Sequence, residues 1–158
     1  MKNKAFGGIG AGRLRVNMGN IHVKQGNYPN AIKMYRMALD QIPSTAKEIR
    51  FKIMRNIGNA FVWMCDYQDA IQTFETIIES MQGAADVEVV YNLGICYYAV
   101  GDIDKAKMAF LRLVEMAHQL EPEVEDEDDI QMDGALGDGK MIAVVPLDDD
   151  LKQDFRNR

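Results

Sequence analysis

The stretch VNMGNIHVKQGNYPNAI, residues 16–32, decides the fold because two later stretches repeat its pattern. These are RNIGNAFVWMCDYQDAI at 55–71 and YNLGICYYAVGDIDKAK at 91–107. Each has Asn at the second position, Gly at the fourth and Ala at the sixteenth, with an aromatic residue four positions after the Ala: Asn17, Asn56 and Asn92; Gly19, Gly58 and Gly94; Ala31, Ala70 and Ala106; Tyr35, Phe74 and Phe110. The glycines are 39 and then 36 residues apart, so the chain repeats one structural unit three times.

Each unit predicts a pair of α-helices. The Asn-x-x-Gly segment lies on the first helix, where the small glycine lets the second helix approach closely. A turn follows, with Asn27, Asp66 and Asp102 placed to cap the second helix. Apolar residues then recur at i, i+4 and i+7 and predict a buried stripe on each second helix: Ala31–Tyr35–Ala38, Ala70–Phe74–Ile77 and Ala106–Phe110–Leu113.

The unit length and pattern resemble the tetratricopeptide repeat, whose period is about 34 residues. Three units are about the minimum that buries a continuous core by stacking. We therefore predict an all-α fold, a tetratricopeptide-repeat solenoid of three helix pairs forming a right-handed superhelix. Pro43 ends the first pair, and Thr45-x-x-Glu48 predicts a capping box for the next helix.

The predicted organisation has six parts. Three repeat units occupy the centre, a glycine-containing segment precedes them, and an acidic run without apolar period follows. The boundaries are a flexible lead-in at 1–12, repeat units at 13–45, 46–84 and 85–120, an acidic disordered linker at 121–139, and an apolar stretch with the truncated start of a next helix at 140–158.

Charge is distributed unevenly along the chain. The net charge is −6, yet residues 1–55 carry +9, residues 56–120 carry −6 and residues 121–158 carry −9. Such a gradient indicates neighbours of opposite sign at the two ends, or a solvated surface. The acidic two thirds oppose nucleic-acid binding by the basic first third.

Candidate catalytic and cofactor chemistry is sparse. GALGDGKM at 134–141 approaches a phosphate-binding loop, but Met141 stands where the magnesium-binding hydroxyl belongs. The His and Cys residues lack metal-ligand spacing: His22, His118, Cys65 and Cys96. The two cysteines fit reduced, buried thiols. No apolar run reaches the length of a membrane span. We predict neither an enzyme nor a bound cofactor or metal.

The concave face of the solenoid is the predicted binding site, because the first helices of a helix-pair solenoid line an inner groove. The groove residues are Arg13, Asn17, Asn20 and Lys24 in unit one, Lys52, Arg55, Asn56, Asn59 and Trp63 in unit two, and Tyr91, Asn92 and Tyr98 in unit three. The aligned asparagines can hydrogen-bond a partner's backbone or bridge neighbouring helices. Trp63 can anchor a partner or pack in the core.

The groove departs from the tetratricopeptide clamp for chaperone C-terminal carboxylates. Asn20 and Asn56 match the two asparagines of that clamp. Its three basic positions fall on Val16, Glu88 and Asn92, so the cationic part of the clamp is missing.

A closer resemblance rests on RVNMGNI at 15–21, NYPNAIKMYRMALDQIPS at 27–44, KEIRFKIMRNIG at 47–58 and YNLGICYYAVGD at 91–102, followed by the acidic EDEDD. These segments resemble the large tetratricopeptide subunits of the intraflagellar transport B complex, the Polaris family. The resemblance implies a non-enzymatic scaffold that binds other subunits of the transport trains, supports cilium assembly, and is found in cytoplasm, cilium or flagellum, and basal body.

Two further expectations concern partners. The basic first third predicts partners with acidic surface, and the exposed ends of the solenoid predict self-association. The rival hypothesis is a free-standing peptide-binding adaptor outside cilia, without the carboxylate clamp.

Overall fold

The computed structural model describes residues 8–81 and 86–120. Within these ranges the chain is built from six helices and has no strand: α1 (Ile9–Lys24), α2 (Tyr28–Leu39), α3 (Lys47–Trp63), α4 (Tyr67–Ser80), α5 (Val87–Val100) and α6 (Ile103–Leu120). The all-α prediction of three helix pairs is confirmed. The predictions for 121–139 and 140–158, and for most of the lead-in, lie outside the described residues.

The first helices α1, α3 and α5 pack on the second helices α2, α4 and α6 through the predicted glycines. A Cβ atom added at Gly19, Gly58 or Gly94 would lie less than 3.0 Å from the ring of the second-helix aromatic residue of the same pair. These aromatic partners are Tyr35, Phe74 and Phe110. Only a residue without a side chain permits this separation of the helices.

Burial of the predicted stripes differs between the pairs. The stripe residues of α2 and α4 are at most 1% exposed: Ala31, Tyr35, Ala38, Ala70, Phe74 and Ile77. On α6, Ala106 is 2% exposed, whereas Phe110 and Leu113 are only half-buried. In the described part of the chain no helix follows α6, so its stripe is covered from one side alone.

Consecutive pairs also contact each other. The second helix α2 packs against α3, α4 packs against α5, and the first helices α3 and α5 touch directly. Arg50 of α3 adds a polar link, because its Nη1 donates 2.8 Å hydrogen bonds to the carbonyl oxygens of Leu39 and Ile42. Arg50 thereby satisfies carbonyls at the C-terminal end of α2 that have no partner within that helix.

Helix starts correct several details of the prediction. Asn27 and Asp66 occupy N-cap positions, but neither side chain makes a cap hydrogen bond. Both have ψ of 68°, away from the extended backbone usual at a capping residue. Asp86, which the sequence analysis did not single out, has ψ of 129° and accepts from the backbone N–H of Glu88 at 2.8 Å. Asp102 caps as predicted, accepting from the N–H of Lys105 at 3.2 Å.

Two predicted boundaries also shift. The capping box Thr45-x-x-Glu48 is wrong, because α3 begins at Lys47 and its N-cap is Ala46, without a side-chain bond. Helix α1 begins at Ile9, inside the predicted flexible lead-in. Gly12 fixes this first turn, since its Cα lies so near Ile42 that an added Cβ would be 2.6 Å from Ile42 Cγ1.

The turns within the pairs use the left-handed backbone region. Gly26 and Gly101 have φ of 70° and 85°, and Cys65, at the same place in the middle pair, has φ of 58°. A residue with a side chain is strained there. The sequence had indicated this departure, because Cys65 replaces the glycine usual at this turn.

Candidate partner-binding groove

The twelve predicted groove residues differ in how much of each side chain solvent can reach. Seven are exposed: Arg13, Asn17, Asn20, Lys24, Lys52, Trp63 and Tyr98. Four are half-buried: Arg55, Asn56, Asn59 and Tyr91. Asn92 is buried, at 9% exposure. The groove therefore offers a partner only part of the surface that the repeat pattern assigned to it.

The three aligned asparagines lie in progressively deeper positions. Asn17 is exposed, Asn56 is half-buried and Asn92 is buried. Asn92 donates from Nδ2 to Asn59 Oδ1 at 2.9 Å, which joins α5 to α3. For Asn92 the bridging alternative is the one that the geometry supports. Asn17 lies on the first helix of the described stack and keeps its side chain in solvent.

Asn20 and Asn56 share a buried phenol. The hydroxyl of Tyr35, a residue that is 1% exposed, donates to Asn20 Oδ1 at 2.7 Å. The side chain of Asn56 also hydrogen-bonds this hydroxyl. Burial raises the pKa of Tyr35, and the bond from Asn56 acts in the opposite direction. Both asparagines thus serve the contact of α1, α2 and α3, and the exposed side of Asn20 remains available.

Arg55 is committed to an ion-pair network. Its Nη1 lies 3.0 Å from Asp86 Oδ2 and 3.3 Å from Glu88 Oε2. Glu88 also accepts from Asn59 Nδ2 at 3.0 Å. With Asn92, these residues form a polar network that connects α3 with the start of α5. Sequence reasoning placed Arg55 in the groove but missed Asp86, whose N-cap position before α5 was the available signal.

Trp63 combines the two roles proposed for it. Its ring packs edge-on against Tyr28, with centroids 5.4 Å apart and an interplanar angle of 64°, yet the residue is 42% exposed. Tyr98 of α5 is 53% exposed. An aromatic surface therefore stays accessible at the C-terminal ends of α3 and α5.

The cationic part of the groove lies on α1 and α3. Helix α1 contains Arg13, Arg15 and Lys24 and no acidic residue. Lys52 of α3 is exposed, and Arg13 and Lys24 are exposed on α1. None of these three takes part in the network around Arg55. They are the groove residues best placed to meet carboxylates of a partner.

The described residues offer no reactive centre. No group of three His, Cys, Asp or Glu residues within them could hold a metal ion. Cys96 is fully buried, and burial raises the pKa of its thiol to about 12, so it stays protonated at neutral pH. Of the six helices, none is long and apolar enough to cross a membrane.

Comparison with known families agrees with this architecture. Two models described as tetratricopeptide repeat match residues 10–83 and 88–116, which together make up more than half of the chain. The chain belongs to the tetratricopeptide-repeat family. The glycine-to-aromatic contacts described above are thus the packing contacts of a tetratricopeptide unit in this chain.

Solved tetratricopeptide structures share the fold. The tetratricopeptide domain of Arabidopsis FLU superposes with a TM-score of 0.60 at 16% identity, covering 68% of this chain and 95% of that domain. The first tetratricopeptide domain of Spaghetti (RPAP3), solved with an HSP90 peptide, gives 0.58 at 17% identity, covering 71% and 83%. At these identities the likeness concerns the fold alone.

One curated relative is much more similar in sequence. The human intraflagellar transport protein 88 homolog is 52% identical over 114 residues, which are 72% of this chain and 13% of that protein. The resemblance to the intraflagellar transport subunit, noted from the repeated segments, is confirmed. The chain spans about an eighth of the length of this relative.

Proposed function

We propose that this chain is a protein-binding segment of an intraflagellar transport B subunit, acting as a non-enzymatic scaffold in the trains that carry cargo along cilia. The observation that carries the proposal is the 52% identity to the human intraflagellar transport protein 88 homolog across most of this chain. The same identity disfavours a free-standing adaptor, because the shared residues extend well beyond those that the repeat fold requires.

We further propose how the segment is divided and located. The three repeat units occupy 13–45, 46–84 and 85–120, and the remaining residues connect this solenoid to other parts of the transport subunit. The subunit resides in the cytoplasm, at the basal body and in the cilium or flagellum, where it supports cilium assembly. These statements rest on the resemblance to the human relative.

Binding occurs in the groove, at its cationic end. Arg13, Lys24 and Lys52 attract a partner subunit with acidic surface and then form charge-assisted hydrogen bonds to its carboxylates. The exposed amide of Asn17 bonds polar groups beside those carboxylates. Trp63 supplies an apolar anchor for the partner on the same face.

The choice of variants follows from the burial of each groove residue. Arg55 and Asn59 looked exposed from the sequence, and changing them was expected to leave folding intact. Because both belong to the network with Asp86 and Glu88, their replacement disturbs the solenoid itself. Arg13 and Lys52 are exposed and lie outside that network, so charge reversal there tests binding with little effect on folding.

The experiment compares Arg13→Glu/Lys52→Glu with a control reversal, Lys33→Glu, at an exposed position of α2. In a ciliated cell, the full-length subunit with the groove changes should accumulate normally but be poorly retained with the other train subunits on co-purification. The control should co-purify normally. Equal retention of both variants would place the binding surface elsewhere and overturn the assignment of the groove.

A further inference from the structure

Helix α1 exposes an apolar row that the later first helices bury. This leading row consists of Leu14, Met18 and Ile21, which are 55%, 42% and 55% exposed. The residues in the same register on α3 and α5 are at most 6% exposed: Ile53, Ile57 and Ala60, and Val89, Leu93 and Cys96. The same three positions are therefore core inside the solenoid and surface at its start.

The leading rows of α3 and α5 are covered by the second helix of the preceding pair, α2 and α4. Arg36 of α2 lies 6.0 Å from the ring centre of Phe61 on α3. Glu75 of α4, in the same register, accepts a hydrogen bond from the hydroxyl of Tyr97 on α5. These contacts identify the trailing row of a second helix, the residues that meet the next pair: Ile32, Arg36 and Leu39 on α2, and Ile71, Glu75 and Ile78 on α4.

The trailing row of α6 is Lys107, Leu111 and Val114. Leu111 takes the place of Arg36 and Glu75 and is 58% exposed. Val114 takes the place of Leu39 and Ile78, both packed against the core, and is 53% exposed. Thus α6 presents an apolar surface of the kind that covers a leading row, and no helix in the described residues occupies it.

We propose that two copies of this chain associate head to tail, the trailing row of α6 in one copy covering the leading row of α1 in the next. The contact would continue the interface that α2 forms with α3 and α4 forms with α5. Charge favours the same pairing, since residues 1–55 carry +9 and residues 121–158, which follow α6, carry −9. This inference concerns a surface other than the groove and does not rest on the proposed function.

Such a contact is heterologous, so each copy retains one unused end and can add another. Association should rise continuously with concentration, without stopping at a dimer. Added salt should weaken it, because screening reduces the attraction between oppositely charged ends.

The test is sedimentation velocity on the purified 158-residue chain, from micromolar to near-millimolar concentration. Leu14→Glu and Leu111→Glu each place a carboxylate in the proposed contact and should raise the dissociation constant at least about tenfold. Met64→Glu, at a 39% exposed apolar position in the turn of the middle pair, is the matched control and should associate like the parent. Circular dichroism melts establish that all three variants are folded.

Mixing gives the sharpest outcome. Leu14→Glu keeps an intact α6 end and Leu111→Glu keeps an intact α1 end, so an equimolar mixture should form dimers that grow no further. Lys107→Ile should tighten association several-fold, because Ile32 and Ile71 are buried at this register position.

A parent chain that stays monomeric throughout would overturn the proposal. So would association that Leu111→Glu leaves unchanged, since this would indicate a symmetric contact without α6. Either result leaves the groove experiment unaffected, because Arg13 and Lys52 are not in the leading row.

Discussion

The side chain of Asn92 donates a 2.9 Å hydrogen bond to the side-chain oxygen of Asn59 on the neighbouring first helix. Asn59 in turn donates to Glu88, which also meets Arg55. A repeat position that looks like a ligand-binding amide is thus part of a polar network between two repeat units. The network fixes how α5 lies against α3, and with it the curvature of the groove.

We expect Asn92→Ala to destabilise the chain by about 1–3 kcal/mol, because it leaves the half-buried amide of Asn59 without its donor. The matched control is Asn17→Ala at the same register on α1, where the side chain is exposed, with an expected cost below about 0.5 kcal/mol. Urea unfolding of both variants measures the difference. Equal costs would mean that the bridge contributes no net stability.

Gly58→Leu should cost about 1–3 kcal/mol, because even a Cβ at this position meets the ring of Phe74 in a close-packed contact. The control is Gly10→Ala on α1, where an added Cβ has no neighbour within 4 Å. That control should leave stability unchanged or raise it slightly, since Ala favours helix. Thermal melts compare the two. A Gly58→Leu variant that melts like the parent would contradict the packing described here.

Cys65→Gly should stabilise the protein by about 1 kcal/mol, because φ of 58° strains any residue that has a Cβ. Cys65 is exposed, so little packing is lost. The reverse change, Gly101→Ala, meets no atom within 4 Å and isolates the strain at φ of 85°, so it should lower stability. Melting temperatures of opposite sign are the expected result, and shifts in the same direction would refute the strain argument.

Stability should fall at alkaline pH. Burial raises the pKa of Cys96 from 9.0 to about 12 and that of Tyr67 from 10.0 to about 12, and burial with the Glu75 contact also raises the pKa of Tyr97. The folded state therefore holds protons that the unfolded chain releases, so stability is complete below about pH 9 and declines towards pH 12.

Cys96→Ala tests the thiol contribution to this decline. It should lower absolute stability by removing buried volume, yet flatten the loss between pH 9 and 10, where the unfolded thiol ionises first. Melting temperature measured at small pH steps gives both quantities. An unchanged slope would mean that another group controls the alkaline transition.

The fold followed from the sequence because its determinants are local and repeated. The spacing of Gly19, Gly58 and Gly94 reports helix–helix contacts directly, and the aromatic residues that fill the space recur at a fixed distance. Helix starts were harder to predict, since whether Asn27 or Asp66 caps a helix depends on a backbone angle that residue type alone does not determine.

The groove was predicted less completely, for a physical reason. Sequence register assigns a face to each residue but does not show how deeply neighbouring units cover it, so Asn17 and Asn92 looked equivalent and are not. The partners of Arg55 are 31 and 33 positions away in the sequence, and their charges alone do not show that they meet Arg55. The missing carboxylate clamp was readable, because it needs particular residue types at single positions.

The most direct test of the scaffold assignment is the affinity of the purified chain for purified intraflagellar transport B subunits that have acidic surface. Titration calorimetry should detect binding that Arg13→Glu/Lys52→Glu weakens at least about tenfold, a change of about 1.4 kcal/mol, while Lys33→Glu leaves it intact. Rising salt should weaken the parent complex more steeply than that of the groove variant. Equal affinity of the parent and the groove variant at every salt concentration would contradict the account.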